Sequence, residues 1–202
     1  MPTIVPALEL TTGRLVMRPY RAEDARLLYA AASESRETVG RWMPWCHDGY
    51  AESDSADWVE KCEASWQSGD AYNFAMFDRS GQFVGGTGIN HINRVHNFAN
   101  LGYWVRQSRQ REGFAVDAVK LMAAFGFATL GLMRIEVVAA THNVASRRVA
   151  EKAGALFECL ARNRLLIRDK PVTAAVYSMI PEGDSESLGD APDALVRNTM
   201  PT

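Results

Sequence analysis

The segment Gln110-Arg111-Glu112-Gly113-Phe114-Ala115 and the later segment Asn143-Val144-Ala145-Ser146 share one local design. The first lies between a strand-like run, Leu101-Gly102-Tyr103-Trp104-Val105, and apolar residues at helical spacing: Phe114, Ala118, Leu121, Met122, Phe125 and Ala128. A short basic loop containing glycine thus opens straight into a helix. Unpaired backbone N–H groups and the positive end of the helix dipole converge there, which suits an anion. The second segment follows the strand-like Ile135-Glu136-Val137-Val138-Ala139-Ala140 and opens another helix. Two strand-to-helix turns this close together predict a site for a long phosphorylated cofactor.

Working outward, Leu15 to Tyr20 predicts a first strand, and Ala22 to Ser33 a helix with Ala25, Leu28, Tyr29 and Ala32 on one stripe. A short helix is expected over Ser35 to Arg41, ending before Pro44. A further helix is expected over Ser55 to Trp66, with Trp58, Val59, Cys62 and Trp66 on its apolar face. Tyr72 to Asp78 alternates like a strand, and the turn residues Arg79-Ser80-Gly81-Gln82 make Phe83 to Asn90 its hairpin partner. Ala99 to Arg106, the long helix, Arg134 to Ala140 and the Asn143 helix follow. Leu156 to Ile167 and Val172 to Ile180 close the order, joined by a turn at Arg168-Asp169-Lys170-Pro171. This order predicts an α/β (α+β) fold, a mixed sheet with helices on both faces. Gly85-Gly86-Thr87-Gly88 is no nucleotide loop, since no helix follows it; it reads as a strand whose backbone packs closely.

A chain of 202 residues, 47% hydrophobic and 23% charged, is ordinary for one soluble domain with a sizeable core. A net charge of −2 argues against a general nucleic-acid binder. No apolar run approaches the roughly 20 residues that span a membrane, and the first residues lack a signal-peptide pattern. Cys46, Cys62 and Cys159 are scattered without metal-ligand spacing, as are the histidines. The expectation is a cytoplasmic protein with reduced thiols and no metal. Two units are expected: a domain over residues 1–180, and an acidic tail over 181–202 that is expected to be disordered. The tail holds Glu182, Asp184, Glu186, Asp190 and Asp193 against Arg197, a net −4, which leaves about +2 on the body.

Gln110, Gly113 and Ala115 resemble the acetyl-CoA signature of the GNAT N-acetyltransferase superfamily, Gln/Arg-x-x-Gly-x-Gly/Ala. Asn143-x-x-Ser146-x-Arg148-Val149-x-Glu151-Lys152-x-Gly154 resembles its next block. Leu10-Thr11-Thr12-Gly13-Arg14-Leu15-Val16-Met17-Arg18-Pro19 and Arg41-Trp42-Met43-Pro44-Trp45 are similar to the branch that acetylates ribosomal-protein N-termini. The resemblance spans roughly Leu10 to Ile180. It implies a mostly antiparallel sheet with one parallel pair, Ala99 to Arg106 beside Arg134 to Ala140, splayed where acetyl-CoA enters.

Within that resemblance Gln110, Arg111, Glu112, Gly113, Phe114 and Ala115 form the pyrophosphate loop; read alone, they form an exposed turn. Asn143 meets the pantetheine arm, caps its helix, or does both. Ser146 is the candidate to protonate the leaving thiolate, or is a polar first-turn residue. Arg148 and Lys152, with Arg147, are candidates for the cofactor's 3′-phosphate. A strand bulge near Val105 is expected to present a backbone N–H to the thioester carbonyl. Asn100 stands where many relatives carry a glutamate base, and Ala150 near where many carry a tyrosine acid. Trp42, Trp45 and His91 are candidates for the acceptor pocket; Trp58 and Trp66 are expected to pack helix on sheet.

The leading expectation is acetyl transfer from acetyl-CoA to a primary amine: a protein N-terminus or a small amino-acid-like molecule. The competing one is a non-catalytic acyl-CoA sensor, argued from the missing glutamate and tyrosine. An α-amine of pKa near 8 is about a tenth neutral at pH 7, against roughly four in ten thousand for a lysine. A site without a strong base is therefore better matched to an α-amine. Relatives often dimerise, so a homodimer is implied by resemblance alone.

Overall fold

The computed structural model describes residues 8–183. Its strands are β1 (Leu10–Thr11), β2 (Leu15–Pro19), β3 (Tyr72–Asp78), β4 (Phe83–Asn93), β5 (Phe98–Val105), β6 (Arg134–Ala140), β7 (Leu156–Ile167) and β8 (Lys170–Met179). Its helices are α1 (Ala25–Glu34), α2 (Glu52–Ser68), α3 (Phe114–Ala128) and α4 (Val144–Ala153). The strands form one sheet in the order β1-β2-β3-β4-β5-β6-β8-β7, antiparallel except for β5 beside β6. The mixed sheet with helices on both faces stands as expected. The acidic tail falls largely outside the described residues, which end at Gly183.

Strand alternation sorts the core onto two faces. Leu15, Met17, Phe74, Met76, Ile89 and Leu101 point to one side, against Met122 and Phe125 of α3. Ala75, Phe77 and Phe83 point to the other, against Leu28 of α1 and Val59 and Cys62 of α2. Full burial of such side chains stabilises by about 1.5–3 kcal/mol each. Trp66 closes the first core at its rim: its ring packs edge-on to Phe74 at 5.3 Å, and its Nε1 donates to the Asn73 carbonyl.

Several local expectations change. The segment over Ser35 to Arg41 is a chain of tight turns, not a helix. The Ser35 carbonyl accepts from both Thr38 and Val39 N–H, and the backbone at Gly40 presses against the carbonyls of Arg36 and Cys46. Only a residue without Cβ permits that approach. The last hairpin turns on Arg168 and Asp169 alone, both with positive φ, so Lys170 and Pro171 belong to β8. Trp58 is 43% exposed, so α2 seats on the sheet through Val59 and Cys62 and turns Trp58 toward an open hollow. The expected bulge is absent from β5, whose pairing with β4 runs without a shift from Asn100 to Val105. The shifts lie in β4, one opposite Met76 and Phe77 and one between Asn90 and Asn93, where His91 has φ 50.

Candidate active site

The parallel pairing of β5 and β6 covers only Phe98, Ala99 and Asn100 against Arg134, Ile135 and Glu136. Beyond Asn100 the strands part, because β6 continues along β8 while β5 continues along β4. A wedge opens between them. Arg106 N–H donates to the Val84 carbonyl on the β4 side at 2.9 Å. By alternation, the N–H and carbonyl of Val105 face the wedge. The Val105 carbonyl accepts from the Gln110 side chain at 3.1 Å, and that amide also reaches Thr38 Oγ1 at 3.2 Å. Gln110 thus ties the loop to the strand end and points inward.

The loop beyond it is held by ion pairs. Arg109 pairs with Asp78 at 2.7 Å and with Glu112, so neither Arg109 nor the Glu112 carboxylate is free. Burial works to raise the Asp78 carboxyl, but hydrogen bonds from Ser80 and Arg109 hold it well below the usual carboxylate range. Arg106 and Ser108 grip Glu34 at the end of α1, and the hydrogen bond from Arg106 lowers the Glu34 carboxyl to about 2. The loop preceding α3 is therefore anchored from three sides. Phe114 buries its ring in the core under the Arg109 guanidinium, while Arg111 is exposed.

Gly113 caps α3 with φ 90 and contributes no side-chain acceptor, so the first N–H groups of the helix have no cap. Arg111, with φ 69, turns the backbone just before it. An uncapped helix start beside the wedge fits an anionic cofactor phosphate. Ala115 keeps that first turn narrow. Asn143 caps α4: its Oδ1 accepts from Ser146 N–H at 3.1 Å, which leaves its side-chain amide available. Arg148 and Lys152 are exposed one turn apart on α4. Arg147 is engaged by Tyr177 Oη and the Thr141 carbonyl. Among the described residues no cluster of three His, Cys, Asp or Glu could hold a metal ion.

On the α1/α2 face lies a cavity of about 680 Å³. Its floor is hollow because Gly86, Gly88 and Gly102 stand where strand side chains would fill it; its walls carry Tyr20, Trp45, Tyr50, Trp58 and Trp104. Trp45 packs edge-on to Trp104 at 5.3 Å. Trp42 lies outside the lining, under the Arg41 guanidinium, and His91 is exposed at the β4 bulge, also outside it. Asn100 donates to Asn90 Oδ1 at 2.8 Å, which fixes Asn90 at the cavity edge.

Tyr103 joins the two halves. Its backbone runs beside the cavity between Gly102 and Trp104, while its side chain packs on the α3 side of the sheet, with the hydroxyl 2.9 Å from both the carbonyl and Oγ of Ser146. Burial pushes its phenol up to about 12, so it stays protonated at neutral pH. In the sequence Tyr103 stands out only as one residue of the strand-like run Leu101 to Val105. Nothing local separates the wall residues Tyr20, Tyr50 and Trp104 from core aromatics either.

A sheet wedged open between parallel strands, with an uncapped helix start at the wedge and an aromatic-walled cavity of about 680 Å³ on the α1/α2 face, defines the architecture of an acyl-CoA-dependent transferase. The sequence pattern of the acetyltransferase (GNAT) domain matches residues 14–156, and the chain belongs to that family. It is 27% identical over 176 residues to the uncharacterised N-acetyltransferase YoaA of Bacillus subtilis, across 85% of this chain and 96% of that one. It is 26% identical over 179 residues to the ribosomal protein uS5-alanine N-acetyltransferase of Escherichia coli, across 84% and 91%. A solved Vibrio cholerae protein, assigned as a ribosomal-protein-serine acetyltransferase, superposes with a TM-score of 0.75 at 30% identity, across 88% of this chain and all of that one. The chain is an acetyl-CoA-dependent N-acyltransferase, and the sensor reading finds no support among these relatives.

Proposed function

We propose that this enzyme acetylates a primary α-amine, carried by a protein N-terminus or a small amino-acid-like molecule. The observation that carries this reading is Tyr103, whose backbone runs beside the cavity and whose hydroxyl meets the α4 start. The acceptor would enter from the α1/α2 face and the acetyl-CoA thioester from the wedge. Val105 N–H would polarise the thioester carbonyl as an oxyanion donor. Ser146, oriented by Tyr103, would protonate the departing thiolate. Backbone N–H groups at Gly113 to Ala115 would hold the pyrophosphate, with Arg111 adding charge; Arg148 or Lys152 would meet the 3′-phosphate. Asn100 cannot act as a base, so the site depends on an amine that is already partly neutral, as α-amines are. The named substrates of the uS5 and ribosomal-serine relatives favour the protein N-terminus. The test is release of free CoA from acetyl-CoA across a panel of N-terminal peptides, lysine-containing blocked peptides and amino-acid amides.

We further propose a cytoplasmic protein, consistent with three free cysteines. No helix among the described residues is long and apolar enough to cross a membrane. A homodimer through β7 is the assembly we favour. This edge strand leaves Leu156, Leu160 and Leu166 more than half exposed, a costly surface for a lone chain. Antiparallel pairing with β7 of a second copy would satisfy the edge backbone groups and reduce the exposure of the leucines.

A further inference from the structure

The cavity is larger than a small N-terminal residue requires, and its donors are arranged for a specific partner. Pockets of several hundred Å³ hold drug-sized groups rather than a bare amine. At 680 Å³ this one lies in that range. Tyr20 is 3% exposed, and its hydroxyl converges with Trp104 Nε1 over Gly86, each close enough to crowd any side chain placed there. Neither group makes a hydrogen bond to another described residue, yet both residues line the cavity. Two donors that converge on one point of the cavity wall are placed to share a single ligand oxygen. Burial holds the Tyr20 phenol well above its ordinary value, so it presents O–H and not phenolate. Above them, Trp45 and the 43% exposed Trp58 leave aromatic surface facing the cavity. Flat apolar groups stack well on such surfaces.

We propose that the acceptor is an α-aminoacyl unit with an aromatic side chain: its carbonyl oxygen accepts from Tyr20 Oη and Trp104 Nε1, and its ring packs against Trp45 and Trp58. This deepens the α-amine reading given above and rests on it. A free amino-acid amide and a peptide N-terminus share this chemistry, so both are tested.

The experiment measures binding separately from turnover. Calorimetry on the full chain with CoA present compares phenylalanine amide, a Phe-initiated hexapeptide, the Ala-initiated analogue, and phenethylamine, which lacks the carbonyl. The aromatic aminoacyl ligands should bind at least tenfold more tightly than the Ala peptide and phenethylamine. The hexapeptide exceeding the amide identifies a protein N-terminus; the reverse identifies a small molecule. Tyr20→Phe should abolish the advantage over phenethylamine, and Trp58→Ala, at a partly exposed position, the advantage over alanine. Equal affinity for Phe and Ala peptides, or no effect of either variant, overturns the proposal even if acetyl transfer proceeds. Preferential binding with no CoA release on adding acetyl-CoA leaves this assignment standing and instead overturns α-amine acetylation.

Discussion

The hydroxyl of Tyr103 lies 2.9 Å from Ser146 Oγ, joining the face of β5 to the first turn of α4 across the wedge. Tyr103 also reaches the Ser146 carbonyl, and Asn143 rather than Ser146 caps the helix. The cap therefore falls on Asn143, and the Ser146 hydroxyl is not needed for it. Ser146→Ala should lower kcat at least tenfold with little change in acetyl-CoA affinity or melting temperature, because a step-specific interaction appears in kcat. Tyr103→Phe should show the same split to a smaller degree. Steady-state kinetics with a melting curve on each variant decide it; full activity in Ser146→Ala would leave proton transfer to water.

Asn143→Ala should behave in the opposite sense. Loss of the cap should cost about 1 kcal/mol of stability, read from denaturant midpoints. An unchanged midpoint would mean that the contact to Ser146 N–H contributes nothing.

Gly113 holds φ 90 at the start of α3, a conformation that glycine adopts at little cost. Gly113→Asp adds strain and a negative charge at the helix start. Affinity for CoA should fall at least tenfold, about 1.4 kcal/mol. Calorimetry on folded variant protein checks this, and unchanged affinity would move the pyrophosphate elsewhere.

The Glu34 carboxyl sits at about 2 against an ordinary 4.5, chiefly through its hydrogen bond from Arg106. A lowered folded-state value gives stability that is present above about 4.5 and lost as pH falls from there toward 2. Allowing for solvent screening, the loss should be about 1–2 kcal/mol. Glu34→Gln should flatten that part of the stability–pH curve, followed by denaturant unfolding from pH 6 to 3. A curve superimposable on the parent's would show that the pair is too screened to matter.

Exposed leucines on β7 lead to a prediction about assembly. Leu160→Lys should shift sedimentation from dimer to monomer while β7 stays paired with β8, since Leu160 is 57% exposed. A parent protein that sediments as a monomer at every concentration refutes the dimer.

Local patterns settled much of this protein in advance. The boundaries of β6 and of α3, the hairpin at Arg79 to Gln82 and the cap at Asn143 all follow from period, turn chemistry and capping within a few residues of chain. The motifs at Gln110 to Ala115 and Asn143 to Ser146 pointed to the family on the same local grounds. The tertiary structure decided what depends on distant residues meeting. Ser35 to Arg41 forms turns because Gly40 must lie against Cys46, and Trp58 faces a hollow because three glycines on β4 and β5 empty the floor beneath it. Tyr103 and Ser146 are 43 residues apart in the chain, and only the parting of β5 from β6 after Asn100 lets them touch. Helix and strand periods report which face a residue takes; they carry no information on where two paired strands separate, since that is set by what each strand pairs with on its other side.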